Sequence, residues 1–219
     1  MLIDYKNCVE LIRACHDMTP KKILHIGAHT GEEAGPYQAN GAEQVIWFEA
    51  NESLIPALQA HLQTVPLNQQ IIPAALWDSD TKLKFKITNN PQSSSFFDLE
   101  DHAKFYPQIT VSEEREIQAY RLESLLDATP RQVMFSDFEF INIDTQGAEL
   151  AILNGMGKYL HQPSVKAIYL EINRQELYKE IPLVAEIDAF LQPHHFYRIK
   201  SKWTTEGWGD AIYIHSNES

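Results

Sequence analysis

The stretch ILHIGAHTG, residues 23–31, restricts the fold more than any other feature of this 219-residue chain. A short apolar run passes straight into Gly27, and Gly31 follows four positions later. Such a run delivered into glycine reads as a buried strand ending in a tight turn. The helix expected next leaves its first N–H groups open, so the turn can hold a phosphate or the polar amino-acid end of a cofactor. A second apolar run, QVIWF at 44–48, ends at Glu49, 22 residues after Gly27. A carboxylate at that place can accept both hydroxyls of a ribose, an arrangement shared by dinucleotide and S-adenosylmethionine sites.

The alternation of strand and helix continues along the chain. Residues 5–17 predict an N-terminal capping helix within a 1–19 segment, with Val9, Leu11, Ile12 and Cys15 on its apolar side. Asn51 is placed to cap a helix over SLIPALQAHLQ, and QQIIPAAL predicts a third strand near 69–74. Alternation of this kind builds a parallel sheet. KLKFKI, 82–87, alternates cleanly as an exposed or edge strand. Residues 88–112 are turn-rich yet too aromatic for a plain linker, and read as a lid or acceptor-side insertion. REIQAY and RLESLLDAT give a strand and a short helix, FEFINID a fourth parallel strand, QGAELAILNGM a helix and VKAIYLEIN a fifth strand. A helix is expected over 176–191. HFYRIK and DAIYIH follow as the last strands, joined by too few residues for a parallel crossover, and so form an antiparallel hairpin. The expectation is one α/β domain over 1–219.

Charge narrows the partners. Thirty acidic against 18 basic residues give a formal net charge of -12, which argues against a basic groove for nucleic acid and against docking on an anionic membrane. NNPQ at 89–92 reads as a turn, not as a base-methylating motif, because it lacks a final aromatic and follows an alternating segment. Cys8 and Cys15 have neither redox nor zinc spacing and read as free thiols. No long apolar run follows a basic leader and none reaches the length of a membrane span, so cytoplasmic residence is the expectation.

INIDTQGAELAIL, 141–153, supplies a second anchor. It puts Asp144 at the mouth of the fourth strand, where ligands of open α/β sheets sit. Gly147 allows the turn, and Glu149 falls in the first helical turn, where an acid can instead cap the helix. GAHTG lacks the middle glycine that a pyrophosphate prefers, which favours a methyl donor over NAD. An NAD-dependent oxidoreductase remains the alternative at this point.

ILHIGAHTG, VIWFEAN and INIDTQGAELAILNG, in that order, make the chain resemble the FkbM family of S-adenosylmethionine-dependent methyltransferases over roughly residues 20–200. The resemblance implies a Rossmann-like class I methyltransferase fold, a seven-stranded mostly parallel sheet with an antiparallel C-terminal strand. It implies S-adenosylmethionine as cofactor and O-methylation of a sugar, glycan or small natural product. Carried over by residue, Gly27, Ala28 and Gly31 hold the methionine part of the donor, Glu49 its ribose, Ala75 and Leu76 border adenine, and Asp144 stands near the methyl group. Three positions depart from the family pattern: His25 stands where aspartate is more common, Ala50 where proline is usual, and Asn142 where lysine is common. His25 would lie beside the donor's amino-acid end and change the charge there, which leaves a non-catalytic, cofactor-binding protein as a further alternative.

Methyl transfer from a sulfonium is an in-line displacement that needs alignment, exclusion of water and, for an alcohol acceptor, a base. His29, Asp144 and Glu171 are the catalytic candidates. A divalent ion held by these three is possible but not favoured. Acceptor contacts are expected from Ser94, Ser95, Trp203 and Trp208; Phe96 is expected to pack in the core, and Trp203 to serve in a loop.

Overall fold

The structure is a computed structural model that describes residues 1–99, 102–128 and 133–216. Its strands are β1 Lys22–Ile26, β2 Gln44–Glu49, β3 Asn68–Pro73, β4 Ala75–Leu76, β5 Thr81–Thr88, β6 Val111–Tyr120, β7 Phe140–Ile143, β8 Ala167–Asn173, β9 Phe196–Trp203 and β10 Trp208–His215. The helices are α1 Tyr5–His16, α2 Ala34–Ala39, α3 Ile55–Leu62, α4 His102–Phe105, α5 Leu122–Ala128, α6 Glu149–Gly155 and α7 Val184–Leu191. Seven strands form the main sheet in the order β3-β2-β1-β7-β8-β10-β9. β10 runs antiparallel to both neighbours, and the pairings β3-β2, β2-β1, β1-β7 and β7-β8 are all parallel.

The central strands are buried on both faces, as parallel strands under helices on both sides must be. Every residue of β7 and β8 is buried. Alternate side chains feed two cores. On one face Ile23, Val45, Trp47, Phe140, Tyr169 and Ile212 meet α1, α2 and α3, with Cys8, Val9 and Ile12 of α1 completing the layer. On the other, Leu24, Ile46, Ile141, Ile168 and Leu170 meet α5, α6 and α7. Cys8 is buried and Cys15 exposed, both free thiols.

The second sheet, in the order β4-β6-β5, stands apart from the main one. KLKFKI lies inside β5, the edge strand of this sheet beside β6, as its alternation predicts, with a single bridge from Lys86 to Ser95 on its other side. The excursion 88–112 follows β5. Its residues 100 and 101 lie outside the described residues.

Two local expectations are corrected. The helix expected over 176–191 begins only at Val184. Pro182 disfavours helical backbone at Ile181, and Leu177, Tyr178 and Ile181 bury themselves as a small cluster in irregular chain instead. Asn51 does cap, but what it caps is a 3-10 turn, Glu52–Leu54, by accepting from the Ser53 N–H at 3.2 Å; α3 starts afterwards. Among the described residues no helix is long and apolar enough to cross a membrane.

Candidate active site

Strand register builds the site. Ile26 of β1 pairs with Phe48 of β2 on one side and Ile143 of β7 on the other, and Ile143 pairs with Leu170 of β8. The next residue along each strand is therefore Gly27, Glu49, Asp144 and Glu171. Asp210 of β10 pairs directly with Glu171. One row across the carboxyl ends of the parallel strands thus carries four carboxylates and one glycine, at the point where the strand order reverses around β1.

Gly27 is the narrow point of this row. Its φ of +89° is a conformation side chains rarely adopt, and a Cβ there would overlap the carbonyl oxygen of Asp144. The Gly27 and Ala28 N–H groups both donate to Phe48 O, each at 2.9 Å, which binds the turn to the end of β2. His29 takes φ +47° in the same turn.

A cleft of about 590 Å³, its mouth included, opens beside Gly27. Glu49 forms its polar end. One carboxylate oxygen accepts from the His29 N–H and the other from the Asn51 N–H, both at 2.7 Å. A carboxylate offers about four lone-pair directions, so both oxygens keep capacity for hydroxyls in the cleft. Burial pushes the Glu49 carboxyl up from its ordinary range, against the pull of those backbone donors. The apolar walls come from Phe48, Leu54, Ala75, Leu76 and Phe85. The carboxylate beside apolar walls suits an adenosine group in chemical kind, and Gly27 and Asp144 line the same cleft.

Gly27, His29, Gln92, Asp144 and Gln146 also line a second, wider cleft, which Glu171, Asp210, Tyr178 and Trp208 continue. Residues 90–96 of the excursion contribute to both clefts, with Phe96 on the first and Ser93 on the second.

His25 lies below the row, 2% exposed, on the wall of the second cleft. Its Nε2 sits 3.2 Å from Gly27 O, and its Nδ1 2.9 Å from the Tyr37 hydroxyl. A carbonyl only accepts, so Nε2 carries the hydrogen and Nδ1 accepts from Tyr37. Asn142 Nδ2 donates to the same hydroxyl at 2.8 Å. Burial lowers the His25 pKa, so the ring is neutral and braces the Gly27 turn. A neutral network of histidine and asparagine thus stands where the family more often has an aspartate and a lysine.

Asp144 is half-buried and Glu171 is 6% exposed. Burial raises both carboxyls, and the like charges of Asp210 beside Asp144 and of Asp144 beside Glu171 raise them further. The Gln146 Nε2 group donates to Asp144 Oδ1 at 3.2 Å and to Glu171 Oε2 at 2.8 Å. Glu149 stands aside from the row. It accepts from the N–H groups of Thr145 and Gly147 at 3.0 Å and from the Thr145 hydroxyl at 3.0 Å, so it fixes the turn that leads into α6.

His29 Nδ1 meets Glu32 Oε1 at 2.7 Å. That hydrogen bond raises the His29 pKa, and against the upward push of burial it helps hold the Glu32 carboxyl at about 2.

The row and its clefts thus bring together Gly27, His29, Glu49, Ala75, Leu76, Asp144 and Glu171, with His25 behind them. Ala28 and Gly31 line neither cleft: Ala28 packs in the core under α1, and Gly31 faces Leu58 and Leu62. Trp203 is not a loop residue but the last residue of β9, where the Arg174 guanidinium lies 4.0 Å from its ring centroid. Ser95 is buried and donates to Gln146 O at 2.6 Å, while Ser94 lines the first cleft.

The model of the methyltransferase FkbM domain matches residues 25–199. The chain belongs to the FkbM methyltransferase family. It is therefore an S-adenosylmethionine-dependent methyltransferase, and the nicotinamide alternative is set aside. Solved structures agree on the fold. A magnesium protoporphyrin IX methyltransferase from Synechocystis PCC 6803, with bound S-adenosylmethionine, is similar at TM-score 0.52 and 12% identity, over 98% of this chain and 81% of that one. TrmK from M. capricolum, in complex with S-adenosylhomocysteine, gives TM-score 0.53 and 10% identity, over 100% and 70%. A ribosomal protein L11 methylase from Lactobacillus delbrueckii subsp. bulgaricus gives 0.52 and 12%, over 95% and 77%. Among curated proteins none matches.

Sequence reasoning passed over Gln146, Tyr178 and Asp210. Asp210 had a signal: a lone acid opening the otherwise apolar run DAIYIH. Gln146 had none beyond lying two residues after Asp144, and Tyr178 was assigned to a helix that does not form there.

Proposed function

We propose that this FkbM-family enzyme methylates a hydroxyl of a sugar, glycan or small natural product, with the donor in the first cleft and the acceptor in the second. The observation that carries this reading is that Asp144 lines both clefts. Glu49 would bind the ribose hydroxyls, Ala75 and Leu76 the adenine, and the Gly27 turn the amino-acid end. When bound, the sulfonium donor supplies an electrophilic methyl group.

Asp144 is the proposed proton acceptor. Its raised carboxyl is a stronger base than an ordinary aspartate while still ionising near neutrality. His29 suits the role less, because Glu32 engages its Nδ1 at 2.7 Å and favours the charged form of the ring. Glu171, whose carboxyl burial and the Asp144 charge push up, would orient the acceptor. Trp208 offers a flat face for a ring, and Asn90, Gln92 and Ser93 offer partners for hydroxyls. The excursion 88–112 would act as a lid that keeps water from the reacting groups. We place the whole activity in one domain over 1–219, in the cytoplasm. The net charge of -12 supports a small acceptor over nucleic acid.

Calorimetric titration with S-adenosylhomocysteine, with NAD as the matched comparison, tests the donor site. Transfer of labelled methyl from S-adenosylmethionine to a panel of sugars and hydroxylated natural products tests the acceptor. Label recovered in a methyl ether supports the reading; label recovered only on nitrogen or carbon overturns it.

A further inference from the structure

Gln146 has an unusual number of obligations for an unassigned glutamine. It sits at φ +57°, a conformation that costs a non-glycine residue energy and persists where surrounding contacts enforce it. Its Nε2 group donates to one oxygen of Asp144 and one oxygen of Glu171. Its Oε1 accepts from the Tyr178 hydroxyl at 2.9 Å. Its backbone carbonyl accepts from Ser95 Oγ at 2.6 Å. Carboxylate oxygens on one side and a phenol on the other fix which way the amide points.

These bonds divide the carboxylate oxygens into two sets. Asp144 Oδ1 and Glu171 Oε2 belong to the protein. Asp144 Oδ2 and Glu171 Oε1 accept no hydrogen bond among the described residues, and both side chains line the second cleft. Ser95 lies in the excursion, tied to β5 through Lys86, and Tyr178 lies in the irregular chain before α7, bridged to Leu99 of the excursion. Gln146 therefore joins the two acids to both segments, its side-chain amide through Tyr178 and its backbone carbonyl through Ser95.

We infer that Gln146 is the positioning residue of this enzyme: its side-chain amide aligns Asp144 and Glu171 as a pair and leaves one oxygen of each for the acceptor, while its backbone carbonyl on Ser95 and its amide oxygen on Tyr178 make that alignment depend on the seating of the excursion. The inference rests on the proposed role of Asp144 toward the acceptor. Asp210, Glu149, Glu33, Tyr178 and the Met1 amino group also face the pair and contribute to its titration.

The test is an NMR titration of the protein alone, following the Gln146 side-chain N–H signals and ¹³C-labelled Asp and Glu carboxyls. In the native protein the Gln146 N–H signals shift at the midpoints of both Asp144 and Glu171. In Gln146→Leu, which keeps the bulk and removes the donor, the Glu171 midpoint rises by about one unit, because a hydrogen bond to the charged form is lost. Tyr178→Phe leaves the donor in place and moves that midpoint by less than half as much. A purely space-filling glutamine would lower Tm in Gln146→Leu and leave the midpoints where they were; unchanged midpoints in the folded variant overturn the inference. If Gln146→Leu does not fold, the native titration decides: N–H signals that follow neither carboxyl, or only one, overturn it. No donor is present, so a failed donor titration would sink the methyl-transfer reading without touching this result, and the reverse also holds.

Discussion

Gly27 and Asp144 meet backbone to backbone, so closely that a Cβ on Gly27 would overlap the Asp144 carbonyl oxygen. The β1 turn and the mouth of β7 are held together there, because the Asp144 N–H also donates to Ile26 O at 2.9 Å. Both residues line the first cleft, so a change in this contact alters its wall.

Gly27→Ala is expected to cost at least about 2 kcal/mol, from positive φ and the overlap together, and to lower Tm by about 4–8 °C. Gly35→Ala is the control. That glycine lies inside α2 with nothing within 4 Å of a new Cβ, and alanine there should stabilise by up to about 1 kcal/mol. Thermal melts of both variants make the comparison, and equal losses would remove the special role of Gly27.

Glu49→Gln is expected to raise the Kd for S-adenosylhomocysteine about 10–100-fold, the scale of a lost charge-assisted hydrogen bond to ribose. Calorimetry reads this directly. An unchanged Kd would mean that the Glu49 carboxylate serves only the His29 and Asn51 N–H groups.

Glu171 gives a pH dependence with a definite sign. Its carboxyl is raised in the folded state, so between its unfolded and folded values the native protein holds more protons than the unfolded chain. Stability then falls as pH rises through that window. Glu171→Gln stays neutral and removes this part of the slope, so its Tm at pH 8 should exceed that of the native protein by about 2–4 °C, with little difference near pH 4. Parallel melts from pH 4 to 8 check it; equal slopes would place the Glu171 proton elsewhere.

His29 and Glu32 should titrate as one pair. NMR should place the His29 midpoint above its ordinary value, and Glu32→Gln should return it downward. The raised His29 contributes stability that is present at low pH and lost as pH rises through its folded value; the depressed Glu32 contributes the same interaction, lost as pH falls through about 2. A His29 midpoint unmoved by Glu32→Gln would break the pairing and restore His29 as a candidate base.

Much of the site was legible because its residues stand at strand ends. Gly27, Glu49 and Asp144 each follow an apolar run, and the ends of parallel strands are where an α/β sheet binds ligands. Ala75 and Leu76 were placed beside the cleft by the family resemblance, although their strand belongs to the second sheet. The helix expected over 176–191 failed at Pro182, and with it went any view of Tyr178.

By itself the sequence determined the alternation of strands and helices, the closing hairpin and the chemical kinds of residue at each strand mouth, because periodicity, glycine and proline act over a few residues. Only the tertiary structure decided that Glu49, Gly27, Asp144, Glu171 and Asp210 stand in one row, since that follows from the register between strands far apart in the chain. It also decided their protonation. Burial and like charge across that row raise Asp144 and Glu171, and neither influence acts until the sheet has formed.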